Sequence, residues 1–395
     1  MNATVRKEVL SCVRRVVLKL GSSVVTSKKG LDRGIIQSIV DDICEFKAQG
    51  KEFIVVSSGA VAAGVKRLGL KGGARTIPQK QAAASVGQSR LMAAYEEAFD
   101  RHGVKVGQML LTKDDLTHRR RYLNARNTLT TLLSLGVVPI VNENDTVVVD
   151  EIKFGDNDNL SALVATLADT NLLLTLTDIE GFMDCDPRTN PEACLISLVE
   201  DLTPEIKNLA GDTSSGVGRG GMASKMEAAA KVRLSGIPMI IACGKIPHIV
   251  KKAMEADLCG TLIMPAKETI SARKHWIRYN LEPEGELIVD QGAAAAITRA
   301  GKSLLPIGVI EVRGEFEHGA SVHVVDTIGQ KLAVGLVNYS SDEMHKILGR
   351  QTAEIDWILG YRRNDEAIHA DNLVVLNQSE AISGKPFLSK KIPNG

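Results

Sequence analysis

Two lysines in this sequence lie beside glycine-rich segments that could hold a phosphate group. Lys19 stands near the end of an apolar run, and Gly21-Ser22-Ser23 follow it at once. Lys225 follows a second segment, Gly216 to Gly221, and falls in the first turn of a predicted helix. Glycines let backbone N–H groups approach an anion, helix N-termini favour negative charge, and lysine adds a positive charge. The two segments together predict a phosphate site.

Each segment also has a plainer interpretation. The first could be an ordinary strand-to-helix turn, and the second a mobile surface loop. The second segment contains the spacing GxGxxG, but residues 212–215 before it are polar rather than a strand. That context excludes a dinucleotide fingerprint, and no Gly-Lys-Ser/Thr follows at the spacing of a Walker loop.

Short acidic and amide side chains form two runs between the lysines. Asn142-Glu143-Asn144-Asp145 follows a predicted buried strand, and Gly155 to Asn159 precede a predicted helix. Such residues often cap helices and make turns. Two runs in one strand–helix segment nevertheless favour a polar site, where acids could bind an ammonium group, orient lysines or hold magnesium. Thr177-Asp178, after another apolar run, could contact adenine or ribose, or cap a helix.

The elements that must position these residues alternate between strand and helix. Strands are predicted near 14–20, 53–57, 104–111, 137–141, 171–176 and 238–242, with helices between them. This alternation predicts a parallel sheet covered on both faces, with ligands at the carboxyl ends of the strands. After about residue 270, short runs with turn signals at 286–289, 306–312, 321–325 and 332–337 predict a small β-rich module.

Composition excludes several classes. The chain has 395 residues, 44% of them hydrophobic, with 48 Lys+Arg against 47 Asp+Glu, so its net charge does not favour nucleic acid. The six cysteines form no CxxC pair and no zinc-ligand spacing with histidine, so we expect reduced structural thiols and assign no metal ligand. No apolar run is long enough to span a bilayer. We therefore expect a cytoplasmic protein.

Five motifs occur in an order that resembles one family. They are KLGSS at 19–23, SSGA at 57–60, IVNEND at 140–145, GDNDN at 155–159 and GGMASK at 220–225. Together they resemble the glutamate 5-kinases of the amino acid kinase superfamily, and the β-rich tail resembles a PUA domain. The resemblance implies a three-layer αβα sandwich with a mainly parallel central sheet, plus a small β-rich C-terminal PUA-like domain. It implies a catalytic domain at 1–270, a linker at 271–283, the PUA-like domain at 284–370 and a tail at 371–395.

The resemblance also implies a role for each matching residue. The catalytic residues would be Lys19 and Lys225, with Asp158 orienting both lysines. The glutamate-binding residues would be Ser58, Gly59, Asp145 and Asn157. The residues that bind ATP would be Lys19, Gly21, Thr177, Asp178, Arg219, Gly220, Gly221, Met222, Ala223, Ser224 and Lys225.

The implied reaction is ATP- and Mg²⁺-dependent phosphorylation of the glutamate side-chain carboxylate, the first step of proline biosynthesis. Proline as feedback inhibitor, a homodimer or homotetramer, and a partnership with glutamyl phosphate reductase are further implications. The chain departs from the family pattern in two ways. About ten extra residues precede the first strand, and Arg219 stands where a smaller residue, often threonine, is expected.

Two alternatives stay open. One is another kinase of the same superfamily, acting on acetylglutamate, aspartate, carbamate or a nucleotide. The runs at 142–145 and 156–159 favour free glutamate. The other is an RNA-binding protein, argued from the PUA-like tail. The balanced charge and the tail's acids Glu311, Glu315, Glu317 and Asp326 make RNA an unfavourable partner.

Overall fold

The structure is a computed structural model that describes residues 2–27, 30–147, 157–186, 190, 192–210, 221–257, 259–267 and 272–376. It divides into two compact units, Met1–Ala272 and Arg273–Gly395. Among the described residues, no helix combines the length and the apolar character needed to cross a membrane.

The first unit is built on a central sheet. The strands of this unit are β1 (Arg15–Leu20), β2 (Thr26–Ser27), β3 (Gly30–Leu31), β4 (Glu52–Ser57), β5 (Val106–Leu111), β6 (Val138–Glu143), β7 (Leu172–Thr177), β8 (Leu198–Val199), β9 (Met239–Cys243) and β10 (Thr261–Ile263). Strands β2 and β3 pair only with each other. Eight of the described strands form one sheet in the order β5-β6-β4-β1-β7-β9-β10-β8. The first six in that order are parallel, and β10 runs antiparallel to β9. Thus β1 lies near the middle, with β4 and β7 on either side.

Helices connect these strands. They are α1 (Asn2–Ser11), α2 (Ser22–Val25), α3 (Arg33–Ala48), α4 (Ala60–Arg67), α5 (Ile77–Asp100), α6 (Lys113–Thr117), α7 (Arg119–Ser134), α8 (Asn157–Leu167), α9 (Pro204–Leu209), α10 (Met222–Leu234) and α11 (Ile249–Met254). Local signals start two of the longest. Asp32 accepts a hydrogen bond from the backbone N–H of Ile35 at the start of α3. Thr76 and Gln79 form a capping box at the start of α5.

Alternation along the strands produces three layers. In β1, Leu18 and Leu20 belong to a core cluster that includes side chains of α3, α5 and α11. Val17 belongs to a second cluster that includes side chains of α7, α8 and α10. Successive strand residues point to opposite faces, so each face of the sheet is covered by its own set of helices.

Helices α4 and α5 touch backbone to backbone. A Cβ at Gly64 would lie 1.7 Å from the carbonyl oxygen of Ala83, and a Cβ at Gly87 would lie 1.7 Å from that of Ala60. Any larger residue at either position would force the helices apart. Two glycines therefore bring the middle of α5 next to the start of α4, directly after strand β4.

The second unit carries a smaller sheet. Its strands are β11 (Gly285–Val289), β12 (Val309–Arg313), β13 (Ser321–Val325), β14 (Lys331–Leu336) and β15 (Leu373–Val375). They pair in the order β12-β11-β13-β14-β15, with only β11 and β13 parallel. Its helices are α12, which begins at Ala272 (Ala272–Asn280), α13 (Gln291–Ala300), α14 (Ser341–Ile347) and α15 (Ile355–Leu359). One apolar cluster, with Tyr339 and Val324 fully buried, fills this unit.

The predicted alternation of strand and helix is therefore present, and helix α10 has the bounds expected from the sequence. Several elements were not predicted, among them helix α1 in the N-terminal extension, helix α11 and strand β10 in the first unit, and helix α13 inside the β-rich module. The domain boundaries drawn at 270, 283 and 370 stay a prediction, and residues 377–395 lie outside the described part of the chain.

Candidate active site

The loops that follow the central strands meet at one edge of the sheet. The backbone N–H of Gly21 donates to the carbonyl of Leu176 at 3.1 Å, and that of Ser58 donates to Leu20 at 3.1 Å. These bonds fasten the turns after β1 and β4 to each other and to β7. The carboxyl ends of three parallel strands thus form one surface, as expected for a ligand site in such a sheet.

Asp158 joins the two lysines at this edge. Its Oδ1 lies 2.5 Å from Nζ of Lys19, and its Oδ2 lies 3.2 Å from Nζ of Lys225. The exposed fractions are 5% for Lys19, 1% for Asp158 and 3% for Lys225. Ser224 also donates its hydroxyl to Oδ2 at 2.7 Å. Lysines that lie 206 positions apart in the chain are therefore held by one carboxylate.

Three elements bring these charges together. Lys19 is near the end of β1, Asp158 is in the first turn of α8, and Lys225 is in the first turn of α10. Helices α8 and α10 pack against each other on the same face of the sheet. Because both helices begin at the carboxyl edge, their positive N-terminal ends point to the same region as the lysines.

Burial and charge act in opposite directions on the pKa values here. Burial by itself raises the pKa of Asp158, but the charges of Lys19 and Lys225 outweigh it and hold this pKa below its ordinary value. Burial also lowers the pKa of Lys225, against the attraction of Asp158. With both lysines charged, the trio carries a net charge of about +1. It is suited to attract an anion and to stay paired in its absence.

A cavity of about 300 Å³ opens beside the start of α4. The residues that matter for recognition in its wall are Ser22, Ser58, Gly59, Asn142, Asp145 and Asn157. Burial raises the pKa of Asp145 to about 6. A carboxylate that is costly to ionise there gains most from a cation brought by a ligand.

Buried amides lie in the wall of this cavity and behind it. Nδ2 of Asn157 lies 2.7 Å from Oγ of Ser58, 3.1 Å from Oδ1 of Asn142 and 3.3 Å from the carbonyl oxygen of Ser57, so its two N–H groups are shared among three acceptors. Nδ2 of Asn142 in turn donates to Oε1 of Gln88 at 2.8 Å. Sequence analysis did not find Gln88. Its signal was weak: a lone amide within the small residues of a helix expected to pack closely.

The predicted nucleotide residues fall in two groups. Thr177 is buried at the end of β7 and donates to Oδ1 of Asp178 at 3.2 Å. The charge of Asp178 acts to raise the pKa of Lys225, which places it within electrostatic reach of the lysine. Gly221 precedes α10, which begins with Met222, Ala223, Ser224 and Lys225. Arg219 and Gly220 lie outside the described residues.

The described part of the chain contains no dedicated set of protein ligands for the Mg²⁺ ion that the resemblance implies. No group of three or more His, Cys, Asp or Glu is arranged there to hold an ion. The carboxylate of Asp158 is already engaged by both lysines and by Ser224. This donor set fits Mg²⁺ that is bound mainly through nucleotide phosphates and water.

Comparison with known proteins agrees with this architecture. The amino acid kinase family matches residues 14–243, and the PUA domain matches residues 285–359. A glutamate 5-kinase of Geobacter sulfurreducens is 55% identical over 372 residues, covering 94% of this chain and 100% of the relative. A glutamate 5-kinase of Geobacter metallireducens is 54% identical over the same share of each. The crystal structure of T. acidophilum isopentenyl phosphate kinase matches 63% of this chain and 99% of its own, at 21% identity and a TM-score of 0.44. That last similarity is too low to carry a conclusion.

The fold and the first of these matches define the chain as an amino acid kinase with a C-terminal PUA domain. The chain belongs, within the amino acid kinase family, to the glutamate 5-kinases. The predicted fold class and family are thereby confirmed. The roles assigned to single residues stay predictions, although the structure brings most of them to one edge of the sheet.

Proposed function

We propose that this protein transfers the γ-phosphoryl group of ATP to the side-chain carboxylate of L-glutamate, giving L-glutamyl 5-phosphate for proline biosynthesis. The observation that carries the proposal is the Lys19–Asp158–Lys225 group. It lies at the same sheet edge as a cavity with an acid and amides in its wall. One part suits a phosphoryl group, and the other suits an amino acid.

The reaction needs little proton chemistry. A glutamate side chain is ionised near neutral pH, so its carboxylate can attack without a general base. A carboxylate oxygen forms a bond to the γ-phosphorus, the bond to the β–γ bridging oxygen breaks, and ADP leaves with the electron pair. The obstacle is repulsion between the anionic carboxylate and the polyphosphate. Catalysis therefore depends on positioning and on positive charge at the transferring group.

Lys19 and Lys225 supply that charge from two different elements. Asp158 keeps them close together before a nucleotide binds, since two unpaired buried ammonium groups would repel each other. Their separation and direction are thus set in advance, which lowers the reorganisation needed in the transition state. Mg²⁺, when bound with the nucleotide, neutralises further phosphate charge.

The amino acid end of glutamate would occupy the cavity. Asp145 offers a carboxylate to the substrate ammonium, and its pKa of about 6 leaves it mostly ionised at neutral pH. Ser58, Gly59 and Asn157, which line the same cavity, offer hydrogen-bonding groups to the rest of the amino acid end. Gly21, Thr177, Asp178 and the segment 219–225 would contact the nucleotide.

Several features of the family extend the proposal. We infer a cytoplasmic enzyme that forms a homodimer or homotetramer, is inhibited by proline at or over the glutamate site, and passes its product to glutamyl phosphate reductase. An acyl phosphate hydrolyses readily, so a reductase that consumes it quickly is the expected next step.

A hydroxamate assay tests the central proposal. The protein is incubated with ATP, Mg²⁺, glutamate and hydroxylamine, which traps an acyl phosphate as a coloured hydroxamate. We expect colour that requires both ATP and glutamate. A panel of N-acetylglutamate, aspartate, carbamate and UMP, assayed through ADP release, distinguishes the related kinases. Preference for any of these over glutamate would overturn the proposal.

A further inference from the structure

A chain of buried amides runs from helix α5 to the wall of the cavity. Gln88, Asn142 and Asn157 have exposed fractions of 8%, 2% and 7%. Asn142 and Asn157 line the cavity, whereas Gln88 lies behind them. A buried amide that loses a partner keeps its desolvation penalty. The hydrogen bonds between these three side chains are therefore strongly coupled.

A backbone carbonyl fixes which atom of each buried amide donates and which accepts. The carbonyl of Ser57 can only accept, so the group that Asn157 turns towards it must be its NH₂. That NH₂ also faces Asn142, which must then present its Oδ1. The NH₂ of Asn142 consequently points the other way and needs an acceptor. Oε1 of Gln88, at 2.8 Å, is that acceptor.

This direction has consequences inside the cavity. Oγ of Ser58 accepts a hydrogen bond from Asn157, which leaves the Ser58 hydroxyl proton for another acceptor. Oδ1 of Asn157 is buried and has no hydrogen-bond partner among the described residues. The Ser58 hydroxyl thus supplies a donor to the cavity, and Asn157, which also lines it, holds an unpartnered buried acceptor beside it. A carboxylate and an ammonium on one carbon atom match this pair.

The position of Gln88 is set by close packing. The preceding residue, Gly87, lets α5 approach the carbonyl of Ala60, which itself lines the cavity. Two helical turns further along α5, the hydroxyl of Tyr95 lies 2.8 Å from Oγ of Ser57, and both side chains are fully buried. Helix α5 is therefore anchored on both sides of Gln88.

We propose that Gln88 is a positioning residue which sets the enzyme's selectivity for an α-amino acid, by holding Asn142 and, through it, Asn157 in the orientation that the substrate needs. This inference rests on the proposed function and deepens it. Gln88 itself does not touch the substrate. Its substitution should change recognition of the amino acid end more than phosphoryl transfer or nucleotide binding.

Three variants test the proposal in the full-length protein. Gln88→Met keeps the length and removes the acceptor. Gln88→Glu keeps an acceptor oxygen at the same place. Arg90→Met makes the same new residue at an exposed position of the same helix. For each, we would measure kcat and KM for glutamate and for ATP, the melting temperature, and kcat/KM for glutarate, which lacks the ammonium group.

We expect Gln88→Met to raise the KM for glutamate about tenfold, as for loss of one buried hydrogen bond, with the KM for ATP within twofold of wild type. Its preference for glutamate over glutarate should narrow. Gln88→Glu should have a glutamate KM close to that of the wild type, and Arg90→Met should have the same kinetic constants as the wild type.

An unchanged glutamate KM in Gln88→Met would overturn the inference. A second result would also overturn it. If Gln88→Met and Gln88→Glu lowered the melting temperature equally and raised the KM for ATP as much as the KM for glutamate, the role of Gln88 would be purely structural. A wild-type protein that forms no hydroxamate from glutamate would instead overturn the proposed function, and the inference with it.

Discussion

The two units of this chain bury polar groups in opposite ways. In the first unit, the ion pairs of Lys19 and Lys225 with Asp158 are almost fully buried at the sheet edge. In the second, the buried polar side chains among those that the structure describes are uncharged, namely Ser321, Asn338 and Ser341. His323 is half-buried there, and burial lowers its pKa to about 4, so it is neutral at physiological pH.

The difference shows where charge is retained for chemistry. Burying an ion is unfavourable unless it is paired, and a buried pair often contributes little to stability. The second unit avoids that cost, because its core is apolar and its buried polar groups are neutral. The first unit also buries Arg6, Asp42 and Arg233. At the carboxyl ends of its central strands, however, it buries two cations that share one anion. That departure is the best structural argument for a functional site.

The largest effect should come from removing one cation of the trio. Lys225→Ala should lower kcat by a factor of about 10² to 10⁴ while the protein stays folded, because a positive charge at the transferring phosphoryl group is lost. Steady-state kinetics and circular dichroism check this. Lys346→Ala, at an exposed lysine of the second unit, is the matched control. Near-normal turnover of Lys225→Ala would show that the buried charge of the first unit is not needed for catalysis.

A smaller effect is expected from the acid of the cavity. Asp145→Ala should raise the KM for glutamate about 10- to 100-fold and leave the KM for ATP nearly unchanged, since a partner of the substrate ammonium is lost. Initial rates at varied glutamate and saturating ATP measure it. Asp342→Ala, at an exposed position of α14, provides the control. A glutamate KM equal to wild type would argue against contact with the ammonium.

The pH dependence of glutamate binding should follow the same carboxylate. Because burial raises the pKa of Asp145 to about 6, the free enzyme loses this charge as the pH falls from 7 to 5. The glutamate KM should therefore rise about tenfold over that interval. In Asp145→Asn it should be high and nearly independent of pH. A wild-type KM that stays constant down to pH 5 would contradict this assignment.

The smallest effect concerns stability of the second unit. The folded protein binds a proton at His323 only near pH 4, whereas an unfolded chain binds it near pH 6.5. The unfolded state thus holds more protons between these values, so stability falls as the pH drops through them. With solvent screening, we expect a loss of about 1–3 kcal/mol.

His323→Phe should flatten that dependence. Both tryptophans of the chain, Trp276 and Trp357, belong to the second unit, so denaturant titrations followed by tryptophan fluorescence report on it. Lowering the pH from 7 to 4.5 should reduce the unfolding free energy less in the variant than in the wild type. An equal reduction in both proteins would show that other groups govern the acid sensitivity.

Local patterns of sequence sufficed for much of the fold. Apolar runs of the right length predicted the buried strands β4, β7 and β9, and Asp32 marked the start of α3. The N-terminal extension was different. Its helix α1 places Arg6, only 1% exposed, against the carbonyls of Asp257 and Cys259 at 2.5 and 2.8 Å. No local pattern could reveal partners that lie about 250 positions away in the chain.

The sequence by itself determined which residue types were available, and the order of its motifs determined the family. Lysines beside glycines and clustered acids and amides already pointed to phosphate and to an amino acid. The role of Asp158 was already implied by the resemblance, but only the tertiary structure showed that each of its oxygens faces a different lysine and that Gln88 accepts a hydrogen bond from Asn142 behind the cavity. The physical reason is that hydrogen bonds and ion pairs act over about 3 Å, and only packing contacts such as that of Gly87 with Ala60 bring distant residues that close.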